Sequence, residues 1–188
     1  MAWVHTKQYI TPTMRFTVTM LGLVGCNDTY APPQETEGMP MVCAPGSDPS
    51  IEVGHGELRF EAFDNGPETL VELIHGPQGG FHSTIAVRAD QLNIDTAYVI
   101  ELVGTIDGMP LGGGTPISGF RCNYRAEAQD FTGGLLIWDA VPEDLHMKTA
   151  TVDAYVIDPS IKTSDGQSTI IAHDTAAFTI WDPALENE

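Results

Sequence analysis

Ala97-Tyr98-Val99-Ile100-Glu101-Leu102-Val103-Gly104-Thr105-Ile106 is the stretch on which the reading of the fold turns. Its β-branched and aromatic side chains favour extended backbone, and Asp107-Gly108 behind it is turn chemistry. Apolar groups fall on both faces, at Val99, Ile100, Leu102 and Val103, so the strand belongs in the middle of its sheet.

The pattern continues on either side. Upstream, Glu57-Leu58-Arg59-Phe60-Glu61 alternates with period two, sending Leu58 and Phe60 one way and the charges the other. Asp64-Asn65-Gly66 then turns the chain, because Asn and Gly tolerate positive φ. Residues 70–74 read as the next strand. After His75-Gly76-Pro77-Gln78-Gly79-Gly80, another covers 81–88, with Phe81, Ser83, Ile85 and Val87 on one face. Downstream, Gly112-Gly113-Gly114 reads as a flexible loop. It is no phosphate loop, since neither a GK[ST] element nor a helix follows it. Strands follow at 117–124 and 134–138. Pro142-Glu143-Asp144-Leu145 has the proline and acids of a single helical turn, placed as a crossover between sheets. Strands 149–157 and 176–181 close the domain, joined through a turn at Asp165-Gly166. About seven to nine short strands without a convincing helix imply an all-β fold, an antiparallel two-sheet sandwich covering 51–184.

Composition agrees with a folded domain and narrows its partners. Hydrophobic residues make up 42% of 188, enough for a core. The formal charge is −18, from 8 basic and 26 acidic residues. Such a field repels nucleic acid and anionic lipid surfaces, so neither is expected as a partner.

The N-terminal part reads as a leader and a spacer. Met14-Arg15 precedes a short apolar run, 16–24, too short for a membrane-spanning helix and of the length of a signal-peptide core. Met1 to Thr13 fits that pattern badly, which suggests a true start at Met14. Residues 26–50, with Ala31-Pro32-Pro33-Gln34-Glu35-Thr36-Glu37-Gly38 and further prolines, bury too little apolar surface to fold and read as an acidic spacer. Met39-Pro40-Met41 within it is a weak soft-metal motif. Residues 185–188 form an acidic tail.

Leu23-Val24-Gly25-Cys26 resembles the lipobox of bacterial lipoprotein signal peptides. The resemblance implies cleavage before Cys26, acyl chains on its sulfur and amine, and a location on the outer side of a membrane. Asn27 is not the aspartate that often retains such proteins in the inner membrane, so the outer membrane is the expected site. Lipidation of Cys26 leaves Cys43 and Cys122 as a disulfide in an oxidising compartment. The strand pair Thr151-Val152-Asp153-Ala154-Tyr155-Val156-Ile157 and 176–181 resembles the end of bacterial immunoglobulin-like or fibronectin-like domains. The Cys…Trp…Cys spacing of antibody domains is missing.

Candidate chemistry centres on His75 and His82, which flank the Gly/Pro turn at the mouth of a hairpin. The run Gly76-Pro77-Gln78-Gly79-Gly80-Phe81-His82 resembles a stretch of uncharacterised bacterial lipoproteins. Two imidazoles across a hairpin suit copper or zinc, with a third ligand from His55, Asp64 or His146. The alternative is a turn whose histidines bond the loop backbone. No D-x-D-x-D-G calcium loop and no G-x-S-x-G nucleophile elbow occurs, and Asp64, Asp107 and Asp165 are turn residues. The expected function is therefore a monomeric, membrane-anchored binding or structural module of the bacterial envelope, without catalysis. Its partners would be the bilayer, through acylated Cys26, and an envelope protein or glycan. The second reading is a periplasmic copper- or zinc-binding protein using His75 and His82.

Overall fold

Cys43, in the expected spacer, is already part of the fold. In the computed structural model, which describes residues 43–187, Cys43 is buried and joined by a disulfide to Cys122. The backbone N–H of Gly46 donates to the carbonyl of Gln91 at 2.9 Å. The leader, the Leu23–Cys26 motif, most of the spacer and Met39-Pro40-Met41 lie outside the described residues.

Strand β1 (Ser50–His55) ends at Gly56, whose φ of 119° suits glycine alone. The strand expected at 57–61 does not form. The chain bends instead, leaving Leu58 90% exposed and Phe60 buried, and β2 is only Glu61–Ala62. A short 3-10 turn at Gly66–Glu68 leads to β3 (Leu70–Glu72) and β4 (Ile74–His75). The single strand expected there is divided at Leu73, a buried residue whose N–H donates to the Trp181 carbonyl at 2.8 Å. Strand β5 (Phe81–Asp90) buries Ser83, Ile85 and Val87 on one side, as its period predicts.

The central stretch forms β6 (Tyr98–Ile106) and turns at Asp107 and Gly108, both at positive φ, into β7 (Met109–Gly114). Next come β8 (Ile117–Ser118), β9 (Arg121–Asn123) and β10 (Ala128–Trp138). The helical turn α1 (Pro142–Leu145) precedes β11 (Thr149–Lys162) and β12 (Ser168–Trp181), and Leu185–Asn187 closes the described chain as a 3-10 turn.

These strands do not make an immunoglobulin-like two-sheet sandwich. They form one open, mixed, 12-stranded sheet in the order β2-β1-β5-β10-β7-β6-β11-β12-β3, with β4, β8 and β9 attached to β5, β6 and β10. Nor is it wholly antiparallel, since β3 runs parallel to β12. The reason lies in β7, the expected flexible loop. A sandwich needs a seam at which neighbouring strands stop bonding. Here β7 pairs with β6 along its length and with β10 through Gly112 and Gly113, so the ladder is continuous. Only glycine permits that approach. A Cβ at Gly112 would lie 2.8 Å from the Trp138 ring, and one at Gly114 2.1 Å from the Leu135 carbonyl oxygen.

Strands far apart along the path share one core. Val53 in β1 is buried, and its N–H donates to Asp174 in β12 at 2.8 Å. Ile85, Ile100, Leu102, Leu136, Val152 and Phe178 are fully buried within that core. Each contributes roughly 1.5–3 kcal/mol by leaving water. No helix among the described residues is long and apolar enough to cross a membrane.

Candidate functional site

The two histidines singled out by the sequence do not meet. In the β4–β5 ladder His75 lies opposite Phe81, and His82 opposite Ile74. Residues directly opposite share a face and successive residues alternate, so the imidazoles project to opposite sides of the hairpin. His75 accordingly meets the Phe81 ring edge-on at 5.0 Å. His82 stands opposite Ile137 of β10 and lines a shallow cleft of about 310 Å³ with Pro77 and Leu135. The shared copper or zinc site expected at His75 and His82 is not assembled. Among the described residues no three His, Cys, Asp or Glu side chains are placed to hold a metal ion.

His75 is engaged elsewhere. Its Nε2 lies 2.9 Å from Oδ2 of Asp182, a wholly buried carboxylate just past the end of β12. Oδ1 of the same acid accepts the Ala184 N–H at 2.9 Å. The Asp182 backbone N–H donates to Nδ1 of His146 at 3.0 Å, which puts the His146 proton on Nε2. Burial alone would raise the Asp182 carboxyl. The Ala184 N–H together with the hydrogen bond and charge of His75 outweigh it and hold the group below its ordinary value. Of the proposed third ligands, His146 is thus near His75, through Asp182. His55 stacks on Phe63 instead, and burial lowers its pKa against a smaller opposing pull from Glu61. Asp64 sits exposed in its turn.

An imidazole oriented by a buried carboxylate can serve as a general base. To activate a nucleophile it would need a hydroxyl or thiol on its other nitrogen. Among the described residues His75 makes no such bond. Ser83, the serine beside His82, is buried and accepts from Trp138 Nε1 at 3.1 Å. A second polar group on an exposed strand face, Asp153 with His173 and Thr175, is likewise closed on itself, with Tyr155 stacked on His173 at 4.4 Å.

Another cleft lies beside the disulfide, at residues to which no sequence reading assigned a binding role. It encloses about 440 Å³ and is walled by Arg121, Cys122, Tyr124, Arg125, Asp130 and Leu58. The β9–β10 turn that carries it is built by Asn123. Its side-chain oxygen accepts from the backbone N–H groups of Arg125 and Ala126, both at 3.2 Å, and its amide nitrogen donates to Asp130 at 2.7 Å. The available signal was charge spacing: two of the chain's 8 basic residues fall within Arg121-Cys122-Asn123-Tyr124-Arg125.

No protein-family model and no curated protein matches this chain. The likeness to bacterial lipoproteins therefore finds no support as an identification. The likeness to immunoglobulin-like or fibronectin-like domains is overturned by the single sheet, in which β11 pairs with β6 on one side and β12 on the other.

Proposed function

We propose that the domain is a non-catalytic binding module that works outside the cytoplasm. The observation that carries this reading is the Cys43–Cys122 disulfide, which spans 79 positions and ties the start of the described fold to β9. Disulfides of this structural kind persist in oxidising compartments and are rare where thiols are kept reduced. The same pairing leaves Cys26 as the third of three cysteines, directly behind a short apolar run. The proposal includes acylation of that sulfur and attachment to a bilayer, for which more than one chain gives stable anchoring.

The test uses the full chain expressed in a bacterial host. Cells are quenched with an alkylating agent, and the thiols of Cys43 and Cys122 are read by mass spectrometry. A parallel culture is labelled with a radioactive fatty acid and fractionated. The expected result is oxidised Cys43 and Cys122, with label and membrane association both lost in Cys26→Ser. Alkylated thiols at both positions overturn the compartment; label retained in Cys26→Ser overturns the tether.

A further inference from the structure

Arginine is scarce in this chain, and the described arginines are not used alike. Arg59 closes on Glu61 at 2.7 Å. Arg88 closes on Asp130 through Nε at 2.9 Å and Nη2 at 3.3 Å, with its guanidinium 4.2 Å above the Phe60 ring. Arg121 and Arg125 have no ion-pair partner among the described residues, although acids outnumber bases 26 to 8. Asp130 lies directly opposite Arg121 in the β9–β10 ladder. Its carboxylate nevertheless closes on Arg88 and Asn123 and leaves Arg121 out.

Both unused guanidiniums wall the 440 Å³ cleft, a volume in the range of small-molecule sites. Tyr124 stands between them in sequence and is 67% exposed. Its ring face and the two guanidiniums are thus both open to a ligand entering the cleft. The disulfide at Cys122 and the Asn123 turn fix the backbone under these side chains, so binding has to order the side chains but not the loop.

We propose that this cleft binds a carboxylate carried on a six-membered ring, with Arg121 and Arg125 holding the carboxylate and Tyr124 covering the ring face. Guanidinium groups match a carboxylate with paired hydrogen bonds. A singly charged ligand is favoured over a polyanion, because the −18 field repels multiple charges at long range. Sugar acids and aromatic acids share this chemistry. The inference supplies a ligand class for the proposed binding role and does not depend on the state of Cys26.

The test titrates the purified full chain with glucuronate and with benzoate, each beside its neutral counterpart, glucose and benzamide, following backbone amides by NMR. At least one acid should shift the amides of 121–125 saturably, its neutral counterpart should not, and added salt should weaken the effect. Which acid binds distinguishes a sugar ring from an aromatic one. Arg121→Gln and Arg125→Gln should each weaken binding roughly tenfold, the loss expected for one charge-assisted contact. Tyr124→Ala should weaken it severalfold while leaving its charge dependence intact. Equal shifts with acid and neutral probes, no saturable shift with either acid, or unchanged affinity in both arginine variants overturns the proposal. All three side chains are exposed, and an unchanged thermal midpoint confirms that the variants fold.

Discussion

The His75 imidazole and the Asp182 carboxylate meet at 2.9 Å, with the acid sealed from solvent and 46% of the histidine side chain left in it. The pair joins the β4–β5 hairpin to the end of β12, two parts of the chain 107 residues apart. It is therefore a clasp between segments, and its value depends on the acid remaining ionised.

That dependence sets a pH limb. The Asp182 carboxyl is held below its ordinary value in the fold, so the unfolded chain takes up this proton first as pH falls. Its contribution is complete above the unfolded value of about 4 and is lost as pH drops from there through the depressed folded value. Asp182→Asn should cost about 1–3 kcal/mol at neutral pH. Denaturant titrations of both proteins from neutral to acid should show the gap closing below pH of about 4. A gap that is constant with pH would falsify the assignment.

The three consecutive glycines of β7 give a sharper test, because they differ in what surrounds them. A Cβ at Gly113 finds nothing nearer than 3.8 Å, whereas one at Gly114 would lie 2.1 Å from a backbone oxygen and one at Gly112 2.8 Å from the Trp138 ring. Gly113→Ala should stay within about 0.5 kcal/mol of the parent. Gly112→Ala and Gly114→Ala should each lose about 1–3 kcal/mol through forced displacement. Gly112→Ala should also shift the fluorescence of Trp138, which is buried. Equal midpoints for all three would mean that β7 does not sit against β10.

The same glycines show where the sequence was legible and where it was not. Alternation in 81–88 and the β-branched, apolar run of 97–106 marked both as strands, and the two-residue turn at Asp107-Gly108 carries a local signature. Gly112-Gly113-Gly114 has no side chains to alternate. Its extended form is imposed by pairing with β6 across the Asp107-Gly108 turn and by the Trp138 ring of β10, which is distant in sequence. Glu57-Leu58-Arg59-Phe60-Glu61 erred the other way, since one glycine at positive φ ahead of it overrides its alternation. The sites divide similarly. Three cysteines allow three pairings, and Cys43–Cys122 could be proposed only by setting Cys26 aside on its resemblance to a lipobox, while a hairpin register is needed to see that His75 and His82 face apart. Asp182 carries no local signal, because its partners come from His75, His146 and Ala184.

The disulfide should matter for stability as well as for compartment. Its closure spans 79 positions, which in the chain-entropy account stabilises by up to roughly 4.5 kcal/mol. Reducing agent should lower the thermal midpoint of the parent and leave that of the Cys43→Ser/Cys122→Ser variant unmoved. A parent midpoint insensitive to complete reduction would show that burial of this segment suffices without the covalent link.

Gln129 offers the most discriminating substitution, because a fully buried amide makes three backbone contacts with two residues. Its Oε1 accepts the Leu92 N–H at 2.8 Å, and its Nε2 donates to the carbonyls of Leu92 at 2.7 Å and Cys43 at 3.2 Å. Gln129→Leu strips all three and should cost at least about 2 kcal/mol, since buried groups left without partners forfeit their hydration. Gln129→Glu keeps the acceptor for Leu92 but turns an ionised oxygen toward the two carbonyls. At neutral pH it should be the worse variant. Protonation restores a donor, so its deficit should shrink as pH falls, while that of Gln129→Leu should not follow the same course. Hydrogen exchange separates the two directly: the Leu92 amide should lose protection in Gln129→Leu and retain more of it in Gln129→Glu at low pH. Identical exchange at Leu92 in the parent and Gln129→Leu would mean that the side chain does not hold this segment.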